Sequence, residues 1–275
     1  MNPFAGKIAI VTGGASGLGR ALCQELGRQR AVVIVADLDA ESGEQVAASI
    51  DAAGGQASFR RVDVSQAAQV RSLVDAAVQQ YGRLDYLFNN AGYAVAGDVR
   101  DIDFEHWRGI IEVNLWGVIH GTAAAYPIMT RQRSGHIVNT ASLAGLIGCP
   151  TLTPYVTTKF AVVGLSANLR EEAAGHGVKV SVVCPGFIDT GIFDAATIVR
   201  ASKREVLSLV QFKMMDAEEA ARRTLRGVER NQARIVFPFY ARLLWWLYRL
   251  SPELLAPAGR KMIRDFEKLR RHTEE

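Results

Sequence analysis

Cysteine is scarce in this chain. Cys23, Cys149 and Cys184 are an odd number with no CxxC pair, which argues against a disulfide framework and predicts a reducing, cytoplasmic setting. Histidine is also sparse: His106, His120, His136, His176 and His272 are scattered, without ligand-like spacing to cysteines or carboxylates, so no metal site is expected. The first residues, Met1 to Lys7, run almost directly into a strand pattern and leave no room for the separate apolar stretch of a signal peptide. Net charge is only +4 over 275 residues, too small to suggest nucleic-acid binding. No internal repeat or flexible linker interrupts the chain.

What is present is alternation. Short apolar runs rich in β-branched residues are followed by helix-length amphipathic segments, and this order implies an α/β fold: a doubly wound parallel sheet with helices on both faces. Seven strands are predicted at 7–12, 32–36, 57–62, 86–89, 136–140, 179–183 and 234–237, with helices near 17–28, 41–53, 66–81, 103–133, 154–175 and 216–230. One domain, 1–238, is therefore expected, followed by a helical C-terminal appendage, 239–275.

The first strand ends in Thr12-Gly13-Gly14-Ala15-Ser16-Gly17-Leu18-Gly19 and a helix follows at once. Glycines let a backbone turn sharply and approach a pyrophosphate, whose charge suits the N–H groups and positive dipole end of a helix N-terminus. Asp37 closes the second strand where a ribose-binding acid is expected. A carboxylate there accepts from ribose hydroxyls and repels a 2′-phosphate, which favours NAD over NADP. Further on, Tyr155 and Lys159 lie four apart at the start of a helix that Thr153 is placed to cap and Pro154 suits in its first turn. A cation beside a phenol favours the phenolate and predicts a lowered pKa and a proton-transfer role.

These motifs, with Asp63-Val64, Asn89-Asn90-Ala91-Gly92, Asn114, Ser142, and Pro185-Gly186 with Thr190, occur in the order that resembles the short-chain dehydrogenase/reductase family, from Lys7 to about Phe237. The resemblance implies a Rossmann fold and hydride transfer between a nicotinamide cofactor and a CH–OH group. It implies that Gly13, Ser16, Gly17, Leu18 and Gly19 wrap the pyrophosphate, that Asp37 binds ribose, and that Asp63 and Val64 contact adenine. Asn90, Ala91 and Gly92 would floor the nucleotide; Pro185, Gly186, Ile188 and Thr190 would hold the nicotinamide, and Tyr155 and Lys159 would border its ribose. Tyr155 is then the proton donor and acceptor, Ser142 steadies the substrate oxygen, Lys159 tunes the phenol, and Asn114 holds a water linking Lys159 to solvent.

Around these motifs the segments are apolar: Leu143, Leu146, Ile147, Cys149 and Pro150 after Ser142; Tyr93 and Val95 after Asn90; Phe187, Ile192 and Phe193 after Pro185. They suit a secondary alcohol or ketone on a hydrophobic, lipid-like or steroid-like body. The family resemblance implies a helical substrate lid over residues 191–215. After the last strand, Leu243, Trp246, Leu247 and Leu250 make one helical stripe beside Arg242 and Arg249, in a run too short for the ~20 apolar residues that span a bilayer. The tail is expected either to pack on the pocket or a second subunit, or to touch a membrane surface peripherally. Residues 241–275 hold eight Lys/Arg against five Asp/Glu. The family resemblance implies a homodimer through 103–133 and 154–175, or a homotetramer. A 3-oxoacyl reductase of fatty-acid type and a non-catalytic dinucleotide-sensing scaffold are the alternatives; Asp37 disfavours the first and the complete Asn114, Ser142, Tyr155 and Lys159 set the second.

Overall fold

Ile8–Thr12 (β1) is buried throughout, and its residues alternate between two cores, Ala9 and Val11 in one and Ile8 and Ile10 in the other. A strand apolar on both faces belongs inside a parallel sheet. In the computed structural model, which describes residues 2–190, 196–208 and 212–271, β1 pairs in parallel with β2 (Val32–Asp37) on one side and β4 (Tyr86–Asn89) on the other, while β3 (Gln56–Arg61) lies outside β2. With β5 (Gly135–Thr140), β6 (Val178–Pro185) and β7 (Arg234–Phe237) the sheet has seven parallel strands, in the order β7-β6-β5-β4-β1-β2-β3.

The helices are α1 (Gly17–Arg28), α2 (Ala40–Ala52), α3 (Ala67–Tyr81), α4 (Phe104–Ile111), α5 (Gly117–Gln132), α6 (Thr153–Ala174), α7 (Lys203–Ser208), α8 (Ala217–Glu229), α9 (Phe239–Leu250) and α10 (Ala256–Arg271). One face of the sheet is covered by α1, α2 and α8 through Leu22, Val46 and Leu225; the other by α3, α5 and α6 through Val74, Met129 and Leu169. Strand order reverses at β1. The connections after β1 and β4 therefore leave the sheet in opposite directions and open a crevice at the carboxyl ends of the strands.

Two local expectations are corrected. Thr153 does not cap α6: Leu152 holds the cap position without a side-chain bond, and Thr153 is already helical, its carbonyl accepting from Thr157 Oγ1 at 2.9 Å. The left-handed backbone of Thr151, φ +67°, turns the chain into the helix one residue early. The single helix expected over 103–133 is α4 and α5 joined by a π turn, Glu112–Trp116, which contains the fully buried Asn114.

Of the expected lid, residues 191–195 and 209–211 lie outside the described residues. Within the remainder, Thr197–Ile198 pairs with Val95–Ala96, α7 is helical, and Met215–Asp216 pairs with Ile188–Asp189. The tail turns back onto the domain. Tyr240, Leu244, Trp245 and Tyr248 of α9 pack on a cluster with Leu143, Leu146 and Ile147, and α10 buries Phe266. Arg270 of α10 donates to both carboxylate oxygens of Asp101, at 2.8 and 3.2 Å, and Glu267 pairs with Arg100. Among the described residues no helix is long and apolar enough to cross a membrane.

Candidate active site

The crevice holds a cavity of about 360 Å³. Gly13, Ser16, Gly17, Leu18 and Gly19 line it from the first turn, Asn90, Ala91 and Gly92 from the loop after β4, and Pro185, Gly186, Ile188 and Thr190 from the segment after β6. Ser142, Tyr155 and Lys159 line it as well. Asp37, Asp63, Val64 and Asn114 do not. Asp37 sits at the end of β2, where Oδ2 accepts from the Ala15 amide at 2.9 Å and so pins the glycine turn, while Oδ1 accepts from the Asp39 amide at 3.2 Å. A carboxylate offers about four lone-pair sites, so acceptor capacity remains for hydroxyl donors. Asp63 Oδ1 accepts from both the amide and the hydroxyl of Ser65, at 2.9 and 2.7 Å.

The residues fit a dinucleotide. Asp39, Asp103 and Asp216 cap α2, α4 and α8 with their carboxylates. At α1 the cap residue Ser16 makes no such bond, so the N–H groups of that first turn meet the cavity without a side-chain acceptor, as an anion site requires. Close packing permits the turn: a Cβ on Gly19 would lie 1.9 Å from the Gly13 carbonyl oxygen. Asn90 ties the floor together, its Nδ2 donating to the Thr12 carbonyl at 3.1 Å and its Oδ1 accepting from Thr140 Oγ1 at 3.3 Å.

Ser142 begins a short turn, Leu143–Gly145, and its Oγ accepts from the Ala144 amide at 3.1 Å. A Cβ on Gly145 would come within 2.6 Å of the Lys159 carbonyl oxygen; glycine lets this turn lie against α6 and bring Ser142 to Tyr155. Lys159 Nζ donates to the Thr140 carbonyl at 2.9 Å and stands 5.5 Å from the centre of the Tyr155 ring. The expected lowering of the phenol pKa is reversed. Burial pushes Tyr155 up to about 12, against a smaller opposing effect of its hydrogen bond with Ser142. Burial also draws Lys159 down to about 8, which weakens the cation that was expected to stabilise the phenolate. At neutral pH the Tyr155 phenol is therefore protonated.

Asn114 makes no hydrogen bond to Lys159. Its Nδ2 donates to the Tyr93 carbonyl at 2.9 Å, its Oδ1 accepts from the Tyr93 amide at 3.0 Å, and Thr158 Oγ1 is 3.4 Å from Nδ2. It thus fixes the loop after Gly92, beside which both Asn114 and Lys159 stand.

Of the expected apolar walls, Leu143, Ile147, Cys149, Pro150 and Phe187 line the cavity. Leu146 and Val95 are buried in neighbouring cores and Tyr93 packs beside them; Ile192 and Phe193 lie outside the described residues. Sequence reasoning offered the tail as a cover for the pocket among its alternatives but missed the residues it supplies, Leu244, Leu255, Ala258, Gly259 and Met262. It also missed Tyr240, whose hydroxyl accepts from the Phe187 amide at 2.7 Å and whose ring stacks on Phe212 at 4.4 Å. Aromatic density in the tail was the available signal; its partner loop was not. Among the described residues no three His, Cys, Asp or Glu side chains gather as a metal site would require. His136 Nε2 bonds Ser181, His120 Nδ1 bonds the Val64 carbonyl, His106 pairs with Asp103, His176 meets the Tyr126 ring edge-on, and His272 lies outside the described residues.

The chain is similar to known proteins along most of its length. SadH of Mycobacterium tuberculosis is 36% identical over 267 residues, covering 94% of this chain and 97% of SadH. Cyclohexanol dehydrogenase of an Acinetobacter species is 33% identical over 228 residues, 78% of this chain and 90% of that one. A short chain dehydrogenase/reductase from Burkholderia phymatum, solved in complex with NAD, superposes with a TM-score of 0.85 at 32% identity, covering 92% of this chain and 96% of that one. The family model for short chain dehydrogenases matches residues 7–199. With the strand order, the glycine turn and the Ser142, Tyr155 and Lys159 group in one crevice, this chain belongs to the short chain dehydrogenase family of nicotinamide-dependent oxidoreductases.

Proposed function

We propose that this chain transfers hydride between NAD and a secondary alcohol or ketone carried on a hydrophobic, lipid-like or steroid-like body. The observation that carries the reading is one cavity shared by an uncapped helix N-terminus, the Ser142, Tyr155 and Lys159 group, and apolar walls from two loops and the tail. Bound nicotinamide supplies the hydride acceptor for oxidation and the donor for reduction. The chain supplies position and protons. Tyr155, held protonated by burial, donates its hydroxyl proton to a carbonyl oxygen as reduction proceeds, and Ser142 holds that oxygen in place. In oxidation the same hydroxyl must first lose its proton, and Lys159, when charged, stabilises the phenolate that then accepts the substrate proton. Asn114, by holding the Tyr93 loop beside Lys159, keeps room there for a water that carries the proton outward.

Asp37 supports NAD, since a carboxylate pinned at the turn repels a 2′-phosphate. The Burkholderia relative, solved with NAD, and the cyclohexanol dehydrogenase point the same way for cofactor and for substrate class. Exposed Trp116 and Phe160, on the π turn and α6, support a homodimer through the long helices. The test is a turnover screen of secondary alcohols and ketones of graded size, with NAD and NADP in parallel. Bulky apolar substrates should give the higher kcat/KM with NAD, and Asp37→Ala should shift the NAD/NADP ratio at least tenfold toward NADP. An unchanged ratio would remove the role given to Asp37; no turnover of any alcohol or ketone would remove the reading.

A further inference from the structure

The tail helix α9 has one face packed on the domain and one that no described residue covers. Tyr240, Leu244, Trp245 and Tyr248 face the domain. Opposite them Phe239, Leu243, Trp246 and Leu250 recur at the spacing of a single helical stripe, and they are 76, 46, 58 and 61% exposed. Single exposed apolar residues need no explanation, but four on one stripe of a twelve-residue helix do.

The surrounding charge says what fits. Exposed Arg242 and Arg249 lie along one flank of the stripe, and α9 contains no carboxylate. Between Phe239 and Arg264 there are five Lys or Arg and one Asp or Glu, Glu253. Lys261 pairs with Asp265, whereas among the described residues no carboxylate pairs with the exposed Arg260 or Arg264. Tryptophan, phenylalanine and leucine edged by arginine is the pattern of a helix lying in the headgroup region of an anionic bilayer. A second copy of this chain would bring the same positive charge to the interface, and like charges repel there.

We propose that α9 docks this protein on an anionic lipid surface, its stripe in the interface and the arginines of α9 and α10 on lipid headgroups. The same helical pair supplies Leu244 and Met262 to the cavity wall, Leu244 from the face of α9 opposite the stripe, so docking sets the helices that wall the cavity beside a reservoir of apolar molecules. The proposal goes beyond the catalytic reading and stands or falls without it, because its readout is binding and not turnover.

Vesicle flotation of the full chain tests it, with vesicles of phosphatidylcholine containing phosphatidylglycerol and with phosphatidylcholine alone. Wild type should float with the anionic vesicles at least tenfold more than with the neutral ones, lose that binding at high salt, and show a blue shift of tryptophan emission. The pair Leu243→Asp and Trp246→Asp should abolish flotation. Arg260→Glu with Arg264→Glu, changes confined to exposed side chains, should reduce it at least fivefold, and both double variants should keep the wild-type Tm and NADH affinity. Wild type that stays at the bottom of the gradient overturns the proposal, as does equal flotation of wild type and the variants. A non-floating wild type whose sedimenting mass falls in the Leu243/Trp246 variant overturns it and gives the stripe to a second copy.

Discussion

Replacing Lys159 by Met should make the protein more stable and nearly inactive at once. Burial holds the lysine pKa at about 8 in the folded chain against 10.5 for the free side chain, so folding at neutral pH works against a charge that water would have solvated. A shift of this size corresponds to roughly 3 kcal/mol of destabilisation at pH 7, partly offset by the hydrogen bond to Thr140. Lys159→Met removes the charge and keeps an apolar stem of similar length. We expect a gain of about 1–3 kcal/mol, seen as a rise in Tm of roughly 3–10 °C without nucleotide.

The sign of the pH dependence follows. Between about 8 and 10.5 the unfolded chain binds more protons at this site than the folded one, so wild-type stability contains a component that rises with pH across that window. The Met variant should lack it. Tyr155 acts oppositely and higher, its contribution being present below 10 and lost as pH rises toward about 12. Activity should fall by about 10³-fold in kcat, within the range for a lost proton-transfer group. A Met variant less stable than wild type at pH 7, or one with wild-type kcat, would contradict this account of the lysine.

Gly19→Ala should cost both the fold and the cofactor. Its new Cβ would stand 1.9 Å from the Gly13 carbonyl oxygen and 2.7 Å from Asn90 Nδ2. The first of these is backbone and cannot swing aside, so the turn must open. About 1–3 kcal/mol of stability is expected to go, with a loss of NADH affinity of about 100-fold because the donors of the α1 turn are displaced from their anion. Gly164→Ala is the internal comparison: a Cβ there meets nothing within 4 Å, and a helix-interior alanine should stabilise by about 0.5–1 kcal/mol. Equal Tm and equal NADH affinity in the two variants would show that the turn's close packing is not what holds the nucleotide.

The parts of this molecule legible in its sequence are those decided within one element or one turn. Ile8–Thr12 reads as a central strand because every residue is apolar or small, and it is one. The glycine turn and the Tyr155 and Lys159 pair announce themselves by spacing, and Ser142 through the family resemblance alone; they meet in one crevice because strand order reverses beside them. What was not legible depends on distant contacts. Ala258, Gly259 and Met262 lie in a strongly charged helix, and contacts far apart in the sequence, Arg270 with Asp101 and Glu267 with Arg100, together with the burial of Phe266, hold that helix over the cavity. The phenol pKa was misjudged for a similar reason. Spacing shows that a lysine is near; it does not show that both groups are buried, and burial reverses the sign of the shift.

One measurement reaches the central claim most directly. The best secondary alcohol from the size-graded screen, carrying deuterium on its carbinol carbon, is mixed with the wild-type enzyme and NAD for a single turnover, and the nucleotide product is analysed by mass. Direct hydride transfer predicts that the deuterium resides in the reduced nicotinamide, that the labelled alcohol reacts more slowly than the unlabelled one, and that Tyr155→Phe abolishes both signals while still binding NADH. Deuterium found in solvent, or a ketone formed without reduced nicotinamide, would contradict it.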